Sequence, residues 1–449
     1  MRQTATFPID DLAFWKKQLL YWAANHEFGV YLDSNQRNNA SEAQNPIDLG
    51  PGYECLVGAG AAELLEANAG TAFGQLNQYQ QGAKDWLFGF FGYDLKNEIE
   101  ALSSHHFDGI GFPDLGFFRP ETVAFIRTPP PEERGKTTCL LEIQTLTSQP
   151  GQVLEDIRSA NGNPEQGAFS KIVLQPRIQK TDYLQTVEAI RQHIAGGDIY
   201  EMNFCQEFFA QKAPLHPVRV FERLNAIGKA PFSTFLRWRD RYLLSASPER
   251  FLKKTGQKLI TQPIKGTRRR GKTAEEDAQI REELAGSEKD RSENVMIVDL
   301  VRNDFSRNCL PGSVQVEELC AIYSFDTVHQ MISTVSGVLP IQTDPLQALR
   351  DCFPMGSMTG APKVMAMELI EHFEQTRRGL YSGAVGYFAP EGDFDFNVVI
   401  RSILYHASTQ YVSAQVGGAI VYDSVPELEY EECLVKAEAM MRALGFFSK

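Results

Sequence analysis

Apolar residues recur along this chain at two spacings, and the spacing changes from segment to segment. In LAFWKKQLLYWAA, near the amino terminus, the pattern is that of an amphipathic helix. Helical patterns return in TDYLQTVEAIRQHIAGG, VMIVDLVRND, PKVMAMELIEHFEQ and PELEYEECLVKAEAMMRAL. Between them lie strand-like runs: TVAFIRT, CLLEIQTL, KIVLQPRIQ, YLLSASP, SGAVGYFAP, NVVIRSILYH and YVSAQVGGAIVY. This mixture predicts an α+β, or mixed α/β, architecture. WLFGFFGYDL is an aromatic cluster, and SNQRNNASEAQNP reads as a polar loop. Around SQPGQVLEDIRSANGNPEQG the composition turns to Gly, Pro, Asn and Gln. We place a junction there, between an amino-terminal half over residues 1–150 and a second region over 170–449. No internal repeat or low-complexity tract interrupts either part.

Composition narrows the function classes. The chain has 449 residues, 43% hydrophobic and 22% charged, enough for one large domain or a few modest ones. Its seven cysteines are scattered without a C-x-x-C pair, which points to neither a disulfide framework nor a zinc site and fits a reducing cytoplasm. The amino-terminal apolar stretch is broken by Lys16 and Lys17 and is too short for a membrane span. A formal charge of −13 opposes nucleic-acid binding, because it repels phosphate backbones.

Candidate chemistry gathers in the second half. In SEKDRSENVMIVDLVRND, Ser287 and Asp290 form a capping-box-like helix start, and Asp290 and Glu293 share a face. In PELEYEECLVKAEAMMRAL, Glu429, Glu432 and Lys436 follow one helical stripe. Two such carboxylate pairs without Cys or His at ligand spacing suit a hard cation such as Mg²⁺, although acids in a first helical turn also complement the helix dipole. Gly417 and Gly418 would let backbone N–H groups approach an anion. Arg401, inside an apolar run, needs a carboxylate partner from a ligand or from the chain. His329 is by default a satisfied core histidine. TQPIKGTRRRG, with Lys265 before a triple arginine, reads by itself as a basic surface loop.

Several long motifs, in order, change that weighting: SPERFL, VDLVRND, FPMGSMTGAPKVMAMELI, RRGLYSGAVGYF, DFNVVIRS and GGAIVYDSVPELEYEE. Together they resemble the chorismate-utilising enzymes over essentially the whole chain. That family includes component I of anthranilate synthase and of aminodeoxychorismate synthase, and the isochorismate and salicylate synthases. The resemblance implies two face-to-face β-sheets flanked by helices, with the site in a cleft between them. It implies that Glu293 and Glu432 ligate Mg²⁺, with Asp290 and Glu429 behind them or bridging through water. Tyr381, Arg401 and the backbone of Gly417, Gly418 and Ala419 would hold the carboxylates of chorismate. Thr267 and Lys436 would help bind it, and His329, also lining the cleft, would be catalytic. The chain departs from the family pattern in having Ala419 where glycine is usual and Asp290 where glutamate is usual.

Within the family, Pro263-Ile264-Lys265-Gly266-Thr267 is similar to the aminodeoxychorismate synthases, whereas anthranilate synthases resemble PIAGT. Glu201 falls where the water-using enzymes carry lysine and the amine-transferring ones glutamine, which disfavours water as the nucleophile. The resemblance thus implies that Lys265 attacks C2 of chorismate while Glu249 protonates the departing C4 hydroxyl. Ammonia then attacks C4 and expels the lysine. A free lysine has a pKa of ~10.4, so burial or Arg268, Arg269 and Arg270 would have to favour its neutral form. No stretch is left for a glutamine-hydrolysing domain, so ammonia is expected from a separate glutamine amidotransferase subunit or from solution.

Overall fold

In the computed structural model, residues 2–35, 53–127, 139–161 and 171–445 are described. The SNQRNNASEAQNP loop lies almost wholly outside them, as does part of the Gly/Pro/Asn-rich junction.

One long strand organises the sheet. Leu115–Arg127 pairs with Tyr53–Ala67, Cys139–Thr145 and Leu87–Phe91, all antiparallel. Two arms leave it. The first runs from Tyr53–Ala67 through Phe28–Asp33, Phe232–Trp238, Arg241–Ser247, Ser402–His406 and Tyr411–Ile420 to Glu201–Ala210. The second runs from Leu87–Phe91 through Ala384–Phe388, Phe394–Val398, Arg250–Thr255 and Lys258–Gln262 to Val328–Val338. Val328–Val338 also carries Ile264–Arg269 and Gln315–Ser324. The arms face each other across an aromatic core, where Trp238 of the first meets Phe90 of the second at 5.0 Å between ring centroids. The two-sheet architecture expected from the sequence is therefore present, with its sheets hydrogen-bonded through a shared strand.

Helices cover the outer faces. Leu12–Asn25, Lys180–Gly196, Pro217–Gly228 and Pro426–Ala443 bury their apolar stripes against the first arm in a second core. Glu288–Ser306 packs Val298 and Phe305 toward Val335 of the second arm. Its start follows local chemistry: Ser287 caps it by accepting from the Asp290 N–H at 3.3 Å, and Glu288 and Asp290 complement the dipole. Pro426 opens the last helix, where a missing N–H removes no intrahelical bond.

Strands from residues 28–33 and 87–91 sit beside strands from residues 232–238 and 384–388, so the two expected halves share one hydrogen-bonded network. Two strand-like runs differ from their patterns. KIVLQPRIQ yields only the two-residue strand Gln175–Pro176, because Pro176 cannot donate to a ladder. NVVIRSILYH breaks after Val398 and resumes at Ser402, with Arg401 in the left-handed region at φ 52°.

Candidate active site

The open end of the sandwich holds a cavity of 520 Å³, walled by both arms and by the Glu288–Ser306 and Pro426–Ala443 helices. All the candidate residues except His329, Gly418 and Glu429 line it.

Lys265 reaches the cavity through a local irregularity. The pairing of Ile264–Arg269 with Val328–Val338 shifts register between Ile264 and Thr267, a bulge that turns Lys265 out of the ladder. Gly266 makes the bulge: its φ is +86°, and an added Cβ would lie 3.0 Å from Asp290 and from Leu284. The side chain of Lys265 is 10% exposed and its Nζ lies 2.7 Å from Glu201 Oε1. Burial works to neutralise the amine, but Glu201, Glu293 and Glu249 outweigh it and hold its pKa above the ordinary lysine value.

The three arginines take no part in that balance. Arg268 pairs with Asp290 at 2.7 Å, Arg269 with Glu438, and Arg270 with Asp277 at 2.7 Å. The expectation that they favour a neutral lysine is corrected, since each is neutralised by its own carboxylate. The lysine rests as a cation.

Opposite stands Glu249, buried in the turn between two strands, accepting from Ser357 Oγ at 2.6 Å. Burial pushes its carboxyl up to about 7, against the opposing pull of Ser357 and Lys265. It can therefore hold a proton near neutrality. Glu293, also buried, is likewise pushed up to about 7 by burial, while Lys265 opposes and Glu201 adds to the shift.

Arg401, Tyr381 and Lys436 form the other wall. Among the described residues Arg401 makes no ion pair; its hydrogen bond goes to the Lys436 carbonyl at 3.4 Å. Burial lowers its pKa, which marks an incompletely compensated cation available to an anionic ligand. The Tyr381 hydroxyl lies 3.6 Å from Cys205 Sγ. Lys436 donates to the Gly417 carbonyl at 2.7 Å and pairs with Glu432 at 2.6 Å. Burial opposes ionisation of Glu432, yet Lys436, Lys289 and Lys265 hold its carboxyl below the ordinary range.

The acidic residues suit a hard cation in kind. Glu293 Oε1 and Glu429 Oε2 are buried without hydrogen-bond partners among the described residues. A Cβ built on Gly418 would sit 3.4 Å from both Glu429 Oε2 and Glu432 Oε1, so glycine leaves a cradle beneath two carboxylates. The Lys289 ammonium occupies this acidic corner, 3.5 Å from Glu429 and 3.9 Å from Glu293. Among the described residues no three acidic, His or Cys side chains are already gathered at metal-holding distance. The donor set fits Mg²⁺ chemistry, with Lys289 standing where positive charge is wanted.

His329 does not reach the cavity. Its ring is buried between Ser324, 2.8 Å from Nδ1, and Asp277, 2.9 Å from Nε2. The catalytic, cleft-lining role expected of it is therefore corrected to that of a satisfied interior histidine. Strand alternation turns its neighbour Gln330 inward instead. Gln330 is 4% exposed, and its Oε1 has no hydrogen-bond partner among the described residues. Sequence reasoning passed over Gln330 and Lys289. The period-two pattern of DTVHQMIS holds the first signal, and the placement of Lys289 one turn before Glu293 holds the second.

With this geometry in view, the comparisons are consistent. The family model for chorismate binding enzymes matches residues 24–442. The chain belongs to that family and is an enzyme of it. It is 35% identical over 379 residues to aminodeoxychorismate synthase component 1 of Bacillus subtilis, covering 82% of this chain and 77% of that protein. It is also 35% identical to anthranilate synthase component 1 of Thermus thermophilus, over 80% of this chain and 77% of that one. Among solved structures, anthranilate synthase component I from Streptococcus pneumoniae superposes with TM-score 0.69 at 25% identity, covering 98% and 92% of the two chains. The menaquinone-specific isochorismate synthase of Escherichia coli gives TM-score 0.74 at 17% identity, over 99% and 94%, and shares the fold.

Proposed function

We propose that this chain is an aminodeoxychorismate synthase component I, converting chorismate and ammonia to 4-amino-4-deoxychorismate through a covalent bond to Lys265. The observation that carries the reading is the buried amine of Lys265, presented to the cavity by the Gly266 bulge together with the proton-holding Glu249. Replacing a ring hydroxyl by an amine at the same carbon is difficult in one step, because hydroxide leaves poorly; a nucleophile and an acid divide it into two. Lys265 forms a bond to C2, the two ring double bonds each shift one position, and the C4 hydroxyl leaves as water with the proton of Glu249. Ammonia then adds at C4, the double bonds return, and the C2–N bond to Lys265 breaks.

Arg401, the Tyr381 hydroxyl and the backbone at Gly417 to Ala419 orient the substrate carboxylates. Glu293 and Glu432, with Glu429 behind them, would hold Mg²⁺, which when bound supplies Lewis-acid compensation for a ring carboxylate. Asp290 is held by Arg268 and supports this corner indirectly. A separate glutaminase subunit as the ammonia source, a folate-precursor pathway and a cytoplasmic location complete the reading. No described helix is long and apolar enough to cross a membrane.

The test is product identification by mass and fluorescence with chorismate, Mg²⁺ and ammonium, in parallel for the parent and Lys265→Ala. The parent should release aminodeoxychorismate, and the variant should lose ~10²-fold or more of 4-amination. Anthranilate from the parent would assign the chain to the other amine-transferring branch, which its 35% identity to an anthranilate synthase keeps in view.

A further inference from the structure

We propose that Glu201 is the base that removes the proton from Lys265 as the amine attacks, a role resting on the covalent reading above. Lys265 Nζ and Glu201 Oε1 are 2.7 Å apart, and Glu201 is 1% exposed. Glu201 opens the strand Glu201–Ala210, where pairing with Ala361 fixes its backbone. It is absent from the cavity wall and stands behind the lysine, touching the reacting nitrogen without occupying substrate space. Lys265 is its one ion-pair partner among the described residues, and its other oxygen, Oε2, is buried and unpartnered.

An ammonium has no lone pair, so Lys265 must lose a proton to become a nucleophile. Three carboxylates bear most directly on it: Glu201, Glu293 from the Glu288–Ser306 helix, and Glu249 from the turn before Arg250–Thr255. Glu432 lies in the same electrostatic environment. Glu249 has to deliver a proton to the leaving hydroxyl and so cannot also receive one. Glu293 faces the acidic corner with Lys289. Among the described residues Glu201 alone is hydrogen-bonded to the amine.

The step balances within the site. An Nζ–H bond breaks, with the proton passing to Glu201 Oε1, and the freed lone pair forms the bond to C2. The ring double bonds shift, and the C4–O bond breaks as Glu249 protonates the oxygen. After ammonia adds and the C2–N bond breaks, Lys265 recovers its proton from Glu201. Glu249 takes one from the new ammonium at C4.

The experiment measures the rate of adduct formation at Lys265 by peptide mass, using the full chain with chorismate and Mg²⁺ but no ammonium, between pH 5.5 and 7. In the parent the proton moves internally, so the rate should be flat with pH. In Glu201→Gln the proton must first go to solvent, so the rate should rise about tenfold per pH unit and fall ~10²-fold below the parent at the acid end. Chorismate KM should stay near the parental value. Glu201→Ala should regain the flat profile in added formate. A Glu201→Gln chain with a flat profile, at any rate, overturns the proposal and leaves Glu201 a positioning residue. If the parent forms no adduct, the covalent reading itself fails and takes this one with it.

Discussion

Between the same two arms the chain builds two interiors of opposite chemistry. At the shared strand, Phe88, Phe90, Phe117, Phe118, Phe396 and Trp238 pack ring against ring, with Trp238 5.0 Å from both Phe28 and Phe90. The one polar atom of the Trp238 ring is satisfied by Glu66 at 2.7 Å. At the open end, Glu249 and Glu293 are buried and Lys265 and Arg401 partly so, and the charge of Lys265 is set against the two carboxylates. The first interior gains free energy from burial itself, ~2–3 kcal/mol per large ring. The second opposes it, because buried charges and unpartnered oxygens weigh against folding until a ligand meets them. Stability and chemistry are thus separated along one sandwich, and substitutions at its two ends should fail in different ways.

The largest effect is expected in the acidic corner. Glu293→Gln or Glu432→Gln should abolish turnover while the chain stays folded, since each removes charge from a cation site with few donors. Circular dichroism melts and Mg²⁺-dependent turnover check this together. Full activity of both variants at limiting Mg²⁺ would show that these carboxylates are not ligands.

The aromatic end should show the reverse. Trp238→Ala should cost ~3–5 kcal/mol of stability through the cavity it leaves, while chain that remains folded keeps its chorismate KM. Chemical denaturation measures the loss. If KM rose strongly at a temperature where the variant is fully folded, the two interiors would not be independent.

A smaller effect concerns pH. The folded carboxyl of Glu249 is pushed up to about 7 from an ordinary 4.5, so its favourable contribution is complete below about pH 4.5 and is lost as pH rises through about 7. By pH 8 the ionised, buried group should weigh against folding by roughly 3 kcal/mol. Glu249→Gln removes that dependence, so its melting temperature relative to the parent should be higher at pH 8 than at pH 5. Glu293 titrates in the same window and leaves part of the slope in both chains. An equal difference in melting temperature at the two pH values would contradict the assignment, as would parental turnover by the variant.

How much of this was legible in the sequence depends on the range of the interaction concerned. Helix Glu288–Ser306 and its Ser287 cap, helix Pro426–Ala443 and most strands follow from period and capping, because backbone hydrogen bonds and one buried face are local properties. The family and its two-sheet fold were legible from long motifs in order. Lys265 was conspicuous as a residue but not as an ion. Its charge depends on Glu201, 64 positions away, and on Glu293. The three arginines looked like its neighbours in the chain, yet folding gave each a distant or turn-related carboxylate. His329 and Gln330 are adjacent in sequence and opposite in space, and only the pairing of their strand decides which one faces the cavity. Sequence determined which groups are present and which elements carry them. Tertiary structure alone decided their protonation and partners, because Coulomb energy and desolvation depend on distances that the order of residues does not contain.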